Sequence, residues 1–172
     1  MKVLFLDIDG VLNSDRTLYD DVSLEDDLIM NLKAIIDKTG AKIILSSSWR
    51  CIPSAVQKLM GKLDEHDLYL SGLTKDGVEV STVEALGFKP TERYTDTDYS
   101  GSCPKDITHD RGAEIAVWLD EHQDRVDSFV ILDDEDYDIK LYYPSHLVLT
   151  RYETGLTEAN VEEAIKILNK GK

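Results

Sequence analysis

Two aspartates, Asp7 and Asp9, directly follow an apolar run near the start of the chain. Residues 3–6 are strand formers and predict a buried strand that ends abruptly at a polar site. Residues two apart in an extended backbone project from the same face, so the two carboxylates are expected to lie together. Asp-x-Asp-Gly also forms ordinary strand-ending turns. A crowded pair, however, favours a hard cation such as Mg²⁺, and Gly10 lets the chain turn away.

A second group of acids occupies residues 133–138, directly after the apolar residues 129–132. Such a burst can be an ordinary solvated loop. Parallel strands, however, deliver their ends to a single crevice, and this is the second place where acids crowd beyond a buried strand. We therefore interpret these acids as metal-binding.

A cluster of polar residues, 46–50, follows the apolar residues 41–45. Successive serines often form solvated turns, but their position at the end of a buried run favours a functional role. Ser47 and Arg50 are predicted to contact the substrate, Arg50 through a bidentate phosphate contact. Trp49 is expected to pack rather than to stack on a base.

Arg111 opens a predicted helix that is capped by Asp110 and carries apolar residues at helical spacing. A cation in the first turn of a helix is disfavoured by the helix dipole, so this arginine needs an explanation. Stabilisation of a phosphoryl group is one explanation. Lys105 is an alternative source of the same charge.

The chain has 172 residues, which fits a single domain spanning 1–172 with a substantial core. A formal net charge of −15 disfavours long-range attraction of phosphate backbones, so an anionic substrate must be captured locally. No apolar run approaches the ~20 residues of a membrane span. Two cysteines far apart give neither a disulfide framework nor a zinc spacing, and they favour a cytoplasmic location.

Apolar periodicity predicts five strands alternating with helices, which is typical of an α/β fold with a parallel sheet. The strands are predicted over residues 3–6, 41–45, 68–70, 129–132 and 147–149. The helices are predicted from a Ser23 cap to Gly40, over residues 53–60 with Gly61 as the stop, from residue 111 to 122, and after a Thr157 cap. Residues 74–110 are predicted to form a largely irregular insertion with the character of a lid.

The motif Leu6-Asp7-Ile8-Asp9-Gly10-Val11 resembles the opening motif of the haloacid dehalogenase (HAD) superfamily of phosphotransferases. The resemblance implies a three-layer, Rossmann-like fold around a central parallel five-stranded sheet. Only a short linker and one predicted helix separate the Asp7/Asp9 motif from the polar cluster at residues 46–50. A large cap domain therefore has no room between them. The segments around Arg50, Arg111 and Thr157 further resemble the HAD domains of RNA repair proteins and of phage polynucleotide kinase-phosphatases.

The resemblance also implies roles for individual residues. Asp7 matches the nucleophile and Asp9 the general acid/base, Ser46 and Arg111 match the residues that contact the transferring phosphoryl group, and Asp134 matches the metal-binding motif. Asp133 and Asp138 are alternatives for the second acid beside Asp134. The expected metal ligands are Asp7, Asp9, Asp133 and Asp134.

The predicted function is Mg²⁺-dependent hydrolysis of a phosphomonoester through an aspartyl phosphate. The expected substrate is a nucleotide or the terminal phosphate of a nucleic acid, without an extended nucleic-acid track and without a membrane. Two alternatives remain: a non-catalytic phosphate- or metal-binding regulatory module of the same fold, and a phosphatase of a small non-nucleotide metabolite. The presence of Asp9 disfavours the regulatory module, because binding alone needs no positioned general acid.

Overall fold

A computed structural model describes residues 1–17, 23–91 and 106–170 of the protein. The strands are Lys2–Leu6 (β1), Lys42–Leu45 (β2), Leu70–Leu73 (β3), Val78–Glu79 (β4), Ile107–Thr108 (β5), Ser128–Asp133 (β6) and Leu147–Leu149 (β7). The α-helices are Asp26–Thr39 (α1), Pro53–Asp64 (α2), Val80–Ala85 (α3), Arg111–Glu121 (α4), Ile139–Tyr142 (α5) and Glu158–Asn169 (α6), and short 3₁₀ turns lie at Asp15–Thr17 and Ser48–Cys51. None of the helices in these ranges combines the length and the apolarity that a membrane span needs.

Five strands form one parallel sheet in the order β3-β2-β1-β6-β7. Its two faces are covered by separate apolar clusters: one includes residues of α1, α2 and α6, and the other includes residues of α4 and α5. Because β1 is buried on both faces, its side chains alternate between the two clusters, with Leu4 in the first and Phe5 in the second. The predicted three-layer α/β fold with a five-stranded parallel sheet is confirmed, and no large cap accompanies it in the described ranges.

The described residues of the insertion, 74–91 and 106–110, include two short strands and one short helix, so this part is less irregular than predicted. β4 and β5 pair in an antiparallel manner, and α3 follows β4 directly. Val78 and Val83 pack against Ala113, Ala116 and Val117 of α4 in a third apolar cluster. Helix α4 is therefore buried on two sides, by the sheet and by the insertion, which explains why its apolar residues extend beyond one face.

The starts of two helices differ from the predicted caps. The first helix was predicted to begin after a Ser23 cap, but α1 begins at Asp26 and its N-cap residue is Glu25, whose buried side chain accepts hydrogen bonds from Ser14 and does not cap the helix. At α4 the Asp110 carboxylate makes no cap hydrogen bond. It accepts hydrogen bonds from Thr91 and from the Tyr142 hydroxyl, which connects the insertion to α5.

The second helix and the third strand differ from their predicted bounds. Helix α2 continues through Gly61 to Asp64, because Leu63 completes the buried face. Met60 lies on the exposed face of this helix. The chain then turns at Asp67, which has a φ of 56°. Pairing with β2 begins at Leu70 and continues to Leu73, so the third strand extends three residues beyond its predicted end.

We predict that Gly61→Ala stabilises the protein by about 0.5–1 kcal/mol, because alanine has the higher helix propensity. Gly61 is exposed within α2, and a Cβ there would meet nothing within 4 Å. Urea denaturation followed by circular dichroism measures the change.

Gly40→Ala is the matched control, because this glycine also has open space but follows α1 with a φ of +67°. The left-handed conformation strains alanine, so the control variant should be destabilised. A lower denaturation midpoint for Gly61→Ala would show that the helix ends at Gly61.

Candidate active site

The ends of three neighbouring strands meet at one edge of the sheet. Asp7 follows β1, and its backbone N–H donates to the Leu132 carbonyl at 3.0 Å. Ser46 follows β2, and its N–H donates to the Leu6 carbonyl at 2.9 Å. Asp133 is the last residue of β6, which lies on the other side of β1. The chain continues from β1 to β2 on one side of it, and β6 later pairs with β1 on the other side. Such a reversal of the strand order leaves a crevice at the carboxyl ends of the strands.

Arg111 connects two of these strand ends. One of its guanidinium nitrogens, Nη1, donates to Asp7 Oδ1 and to Asp133 Oδ2, the latter at 2.8 Å. Burial raises the pKa of the Asp133 carboxyl to about 7, and the Asp7 charge adds to that effect. Burial alone would lower the pKa of Arg111, but the charges of Asp7 and Asp133 outweigh it, so the pKa of the guanidinium is raised. The cation and the two carboxylates thus stabilise one another.

Asp134 completes a group of three acids. Asp7, Asp133 and Asp134 each offer a carboxylate oxygen within 4.8 Å of the others. Burial, followed by repulsion from Asp7 and Glu135, raises the pKa of Asp134 to about 6. Gly10 makes room for this side chain, since a Cβ at Gly10 would lie 2.5 Å from the Asp134 carboxyl carbon. Closely spaced carboxylates of this kind suit a hard divalent cation.

These groups line a cleft of about 390 Å³, formed by Asp7, Asp9, Ser48, Arg111, Asp133, Asp134, Glu135 and Tyr152. Five of the predicted site residues therefore share one cleft: Asp7, Asp9, Arg111, Asp133 and Asp134. Ser46 is fully buried at the end of β2, and its hydroxyl oxygen has no hydrogen-bond partner within the described part of the chain. A buried hydroxyl without a partner is available to a group that enters the site.

Asp9 lies outside the group of three acids, although it was expected to share their metal. Its side chain is exposed, whereas Asp7 is only 5% exposed. Trp49 Nε1 donates to Asp9 Oδ2 at 3.0 Å, and Asn13 Nδ2 donates to Asp9 Oδ1 at 2.8 Å. The two acids of the opening motif thus have different surroundings, which suits different chemical roles.

Ser47 and Arg50, the predicted substrate contacts, point elsewhere. The Ser47 side chain is fully buried and accepts a hydrogen bond from the Trp49 N–H at the start of the 3₁₀ turn. Arg50 is 6% exposed, and its guanidinium donates to Glu114 at 2.6 Å and to the Ser46 carbonyl. Ser48, and not Ser47, therefore lines the cleft, and Arg50 is the partner of a buried carboxylate outside the cleft lining.

The remaining alternatives separate by position. Asp138 accepts a hydrogen bond from the Gly112 N–H at 2.6 Å and so supports the start of α4. It is not among the acids grouped around Asp134, which leaves Asp133 as the neighbouring carboxylate. Lys105, the alternative to Arg111, lies outside the described residues.

Sequence reasoning missed four residues of this region. Asn13 and Trp49 hold Asp9, and Ser48 and Tyr152 line the cleft. Tyr152 had a usable signal, because it follows the end of β7 by only a few residues and the ends of parallel strands share an edge. Trp49 had no such signal. A buried tryptophan is expected to pack in the core, and the sequence does not show which group its indole N–H will bind.

Most of the chain matches a known family of protein domains. The family model for the HAD domain in Swiss Army Knife RNA repair proteins matches residues 3–161, which include the five strands of the parallel sheet except for Lys2 and every residue of the cleft. No curated protein matches the chain. The match supports a phosphatase-type activity in general terms. The resemblance seen in the opening motif is confirmed, and the chain belongs to the family of HAD domains of Swiss Army Knife RNA repair proteins.

Proposed function

We propose that the protein is an Mg²⁺-dependent phosphomonoester hydrolase that works through an acyl phosphate formed on Asp7. The observation that supports this most directly is the position of Asp7. Its carboxylate is almost buried at the end of β1, faces the cleft, and is held by Arg111 beside a group of acids suited to a cation. A carboxylate in such a site is a nucleophile that water solvates poorly.

In the first step an Asp7 oxygen attacks phosphorus, and the bond between phosphorus and the leaving oxygen breaks. Asp9 gives its proton to that leaving oxygen, which departs as an alcohol. In the second step Asp9 takes a proton from water, and the resulting hydroxide attacks the phosphorus of the acyl phosphate. Asp7 is released as a carboxylate, inorganic phosphate leaves, and Asp9 is again protonated.

Ser46 and Arg111 are placed to stabilise the transferring group. The unpartnered Ser46 hydroxyl can donate a hydrogen bond to a phosphoryl oxygen, and the Arg111 guanidinium supplies a fixed positive charge at the cleft. Since Arg111 is already held by Asp7 and Asp133, it needs little reorganisation during the reaction.

The residues fit a bound Mg²⁺. Asp7, Asp133 and Asp134 would hold it, because their oxygens cluster and because burial and mutual repulsion raise the pKa values of Asp133 and Asp134. When bound, Mg²⁺ supplies charge that stabilises the phosphoryl oxygens. Asp9 is not included in this set, since both of its oxygens already accept hydrogen bonds from side chains outside it.

The proposed substrate is a nucleotide or a terminal phosphate of a nucleic acid. The family description, with its association with RNA repair, supports this class. The net charge of −15 opposes an extended contact with a nucleic-acid backbone. Arg111 is the cation that lines the cleft within the described ranges, which suffices for one phosphate.

We predict that Asp7→Asn lowers steady-state phosphate release by roughly 10⁴-fold or more, because the amide keeps the shape but is not a nucleophile. Acid quenching and peptide mapping should find a phosphorylated Asp7 in the unchanged protein and none in the variant. Asp136→Asn, which changes an acid outside the cleft that pairs with Lys140, is the matched control and should retain activity. Substantial turnover by pure, folded Asp7→Asn would exclude the covalent mechanism.

We predict that Asp134→Asn raises the Mg²⁺ concentration for half-maximal activity by roughly 10-fold or more, since a ligand carboxylate is lost. Asp138→Asn should leave it nearly unchanged, because the amide oxygen still accepts from the Gly112 N–H. Titration of chelator-treated protein with Mg²⁺ measures both values. A greater sensitivity of Asp138 would mean that the metal lies nearer to α4 than we propose.

We predict that kcat/KM is almost independent of oligonucleotide length beyond the first few residues. One cleft cation contacts one phosphate, so the log-log dependence on salt should have a slope of about −1. End-phosphorylated oligonucleotides of increasing length, compared in a salt series, measure both quantities. A steep gain with length would reveal a backbone track elsewhere on the protein.

A further inference from the structure

Asp9 has an exposed carboxylate whose two oxygens are each held by a side chain from a different part of the fold. Asn13 Nδ2 donates to Oδ1 at 2.8 Å, and Trp49 Nε1 donates to Oδ2 at 3.0 Å. Asn13 belongs to the turn after β1, and Trp49 belongs to the 3₁₀ turn after β2. Exposed carboxylates usually sample several rotamers, so two such contacts restrict this one unusually well.

The direction of both hydrogen bonds is determined by chemistry. An indole N–H can only donate, so Asp9 accepts from Trp49. The Asn13 side-chain oxygen accepts from the Gly10 N–H at 2.9 Å, which places its amide nitrogen toward Asp9. The Asp9 carboxylate is therefore the acceptor in both contacts, and each of its oxygens keeps a lone pair for a proton.

The body of Trp49 fixes the position of its donor. The ring is buried in the larger apolar cluster of the sheet, and the backbone N–H of Trp49 is bound by the Ser47 side chain. The donor is thus held by packing, not by a flexible chain. Gly10, with a φ of +67°, gives the turn that presents Asn13 from the other side.

We propose that Trp49 and Asn13 are positioning residues that orient Asp9 for proton transfer to the leaving group. This inference rests on the proposed function, in which Asp9 is the general acid and base. Proton transfer needs a heavy-atom separation of about 2.6–3.2 Å, and a carboxylate fixed on both oxygens meets that condition more often than a free one. Trp49, which follows β2, thereby orients Asp9, which follows β1.

The test compares Trp49→Phe with the unchanged protein on two aryl phosphates of similar shape. Phenyl phosphate has a poor leaving group that needs protonation, whereas p-nitrophenyl phosphate has a good one that does not. We expect kcat/KM for phenyl phosphate to fall about 10-fold, the effect of losing one hydrogen bond to a charged group, with little change for p-nitrophenyl phosphate. This ratio reports the steps up to departure of the leaving group and not the later hydrolysis of the acyl phosphate, which both substrates share. A purely structural role of Trp49 would lower both values equally, which would overturn the proposal, as would the absence of any loss.

Trp118→Phe is the matched control, because this second tryptophan is also buried but packs on Phe5 and His122, away from the cleft. It should show no selective loss with phenyl phosphate. Should Trp49→Phe fold poorly, Asn13→Asp tests the same proposal, since it keeps an acceptor for the Gly10 N–H and removes the donor to Asp9. The same selective loss is expected, and its absence would overturn the proposal.

The Asp9→Asn background separates this inference from the function on which it rests. Asp9→Asn should itself lose far more activity with phenyl phosphate, and adding Trp49→Phe should then cost nothing further. A selective loss for Asp9→Asn without one for Trp49→Phe would overturn only the positioning role. Equal losses of kcat/KM for Asp9→Asn with both substrates would instead overturn the general-acid role of Asp9 and, with it, that part of the proposed function.

Discussion

The Arg111 guanidinium lies between two almost buried carboxylates, Asp7 and Asp133, and the candidate site depends on this contact. Parallel pairing of β1 with β6 brings the two acids side by side, where neither could easily remain ionised without a cation. A buried charge cluster is costly to desolvate, so each member needs its partners. The helix dipole opposes a cation at the start of α4, and the two carboxylates offset that effect.

The position of α4 is therefore a requirement of the site. Its first turn is held by Asp138, which accepts from the Gly112 N–H, and by close packing, since a Cβ at Gly112 would lie 2.4 Å from the Tyr142 ring. In the same turn, Glu114 accepts a hydrogen bond from Arg50 at 2.6 Å and one from the Gly77 N–H at 2.9 Å. Burial raises the pKa of Glu114 to about 7, although the Arg50 charge opposes this. This network connects the end of β2, helix α4 and the insertion.

The insertion accordingly has a supporting role that its lid-like appearance in the sequence does not suggest. Its described residues pack on the outer side of α4 through Val78 and Val83, and none of them lines the cleft. The cleft is lined instead by residues at the ends of the sheet strands and in the turns that follow them, Ser48 and Tyr152 among them.

The sequence by itself determined four of the five strands of the sheet, with only Leu70 common to the predicted and the observed third strand, and it identified Asp7, Asp9, Arg111, Asp133 and Asp134 as the residues at one end of the sheet. Apolar runs identify buried strands, and parallel pairing brings their ends together, so acids that follow such runs must converge. Only the tertiary structure decided which side chain of a short polar segment enters the cleft. In residues 46–50 the 3₁₀ turn directs Ser48 to the cleft and Arg50 toward Glu114. Where this turn begins decides which side chain points in which direction, and the residue types alone do not show it. Asn13 and Trp49 reach Asp9 for the same reason: their contacts depend on how two turns pack, which no local pattern encodes.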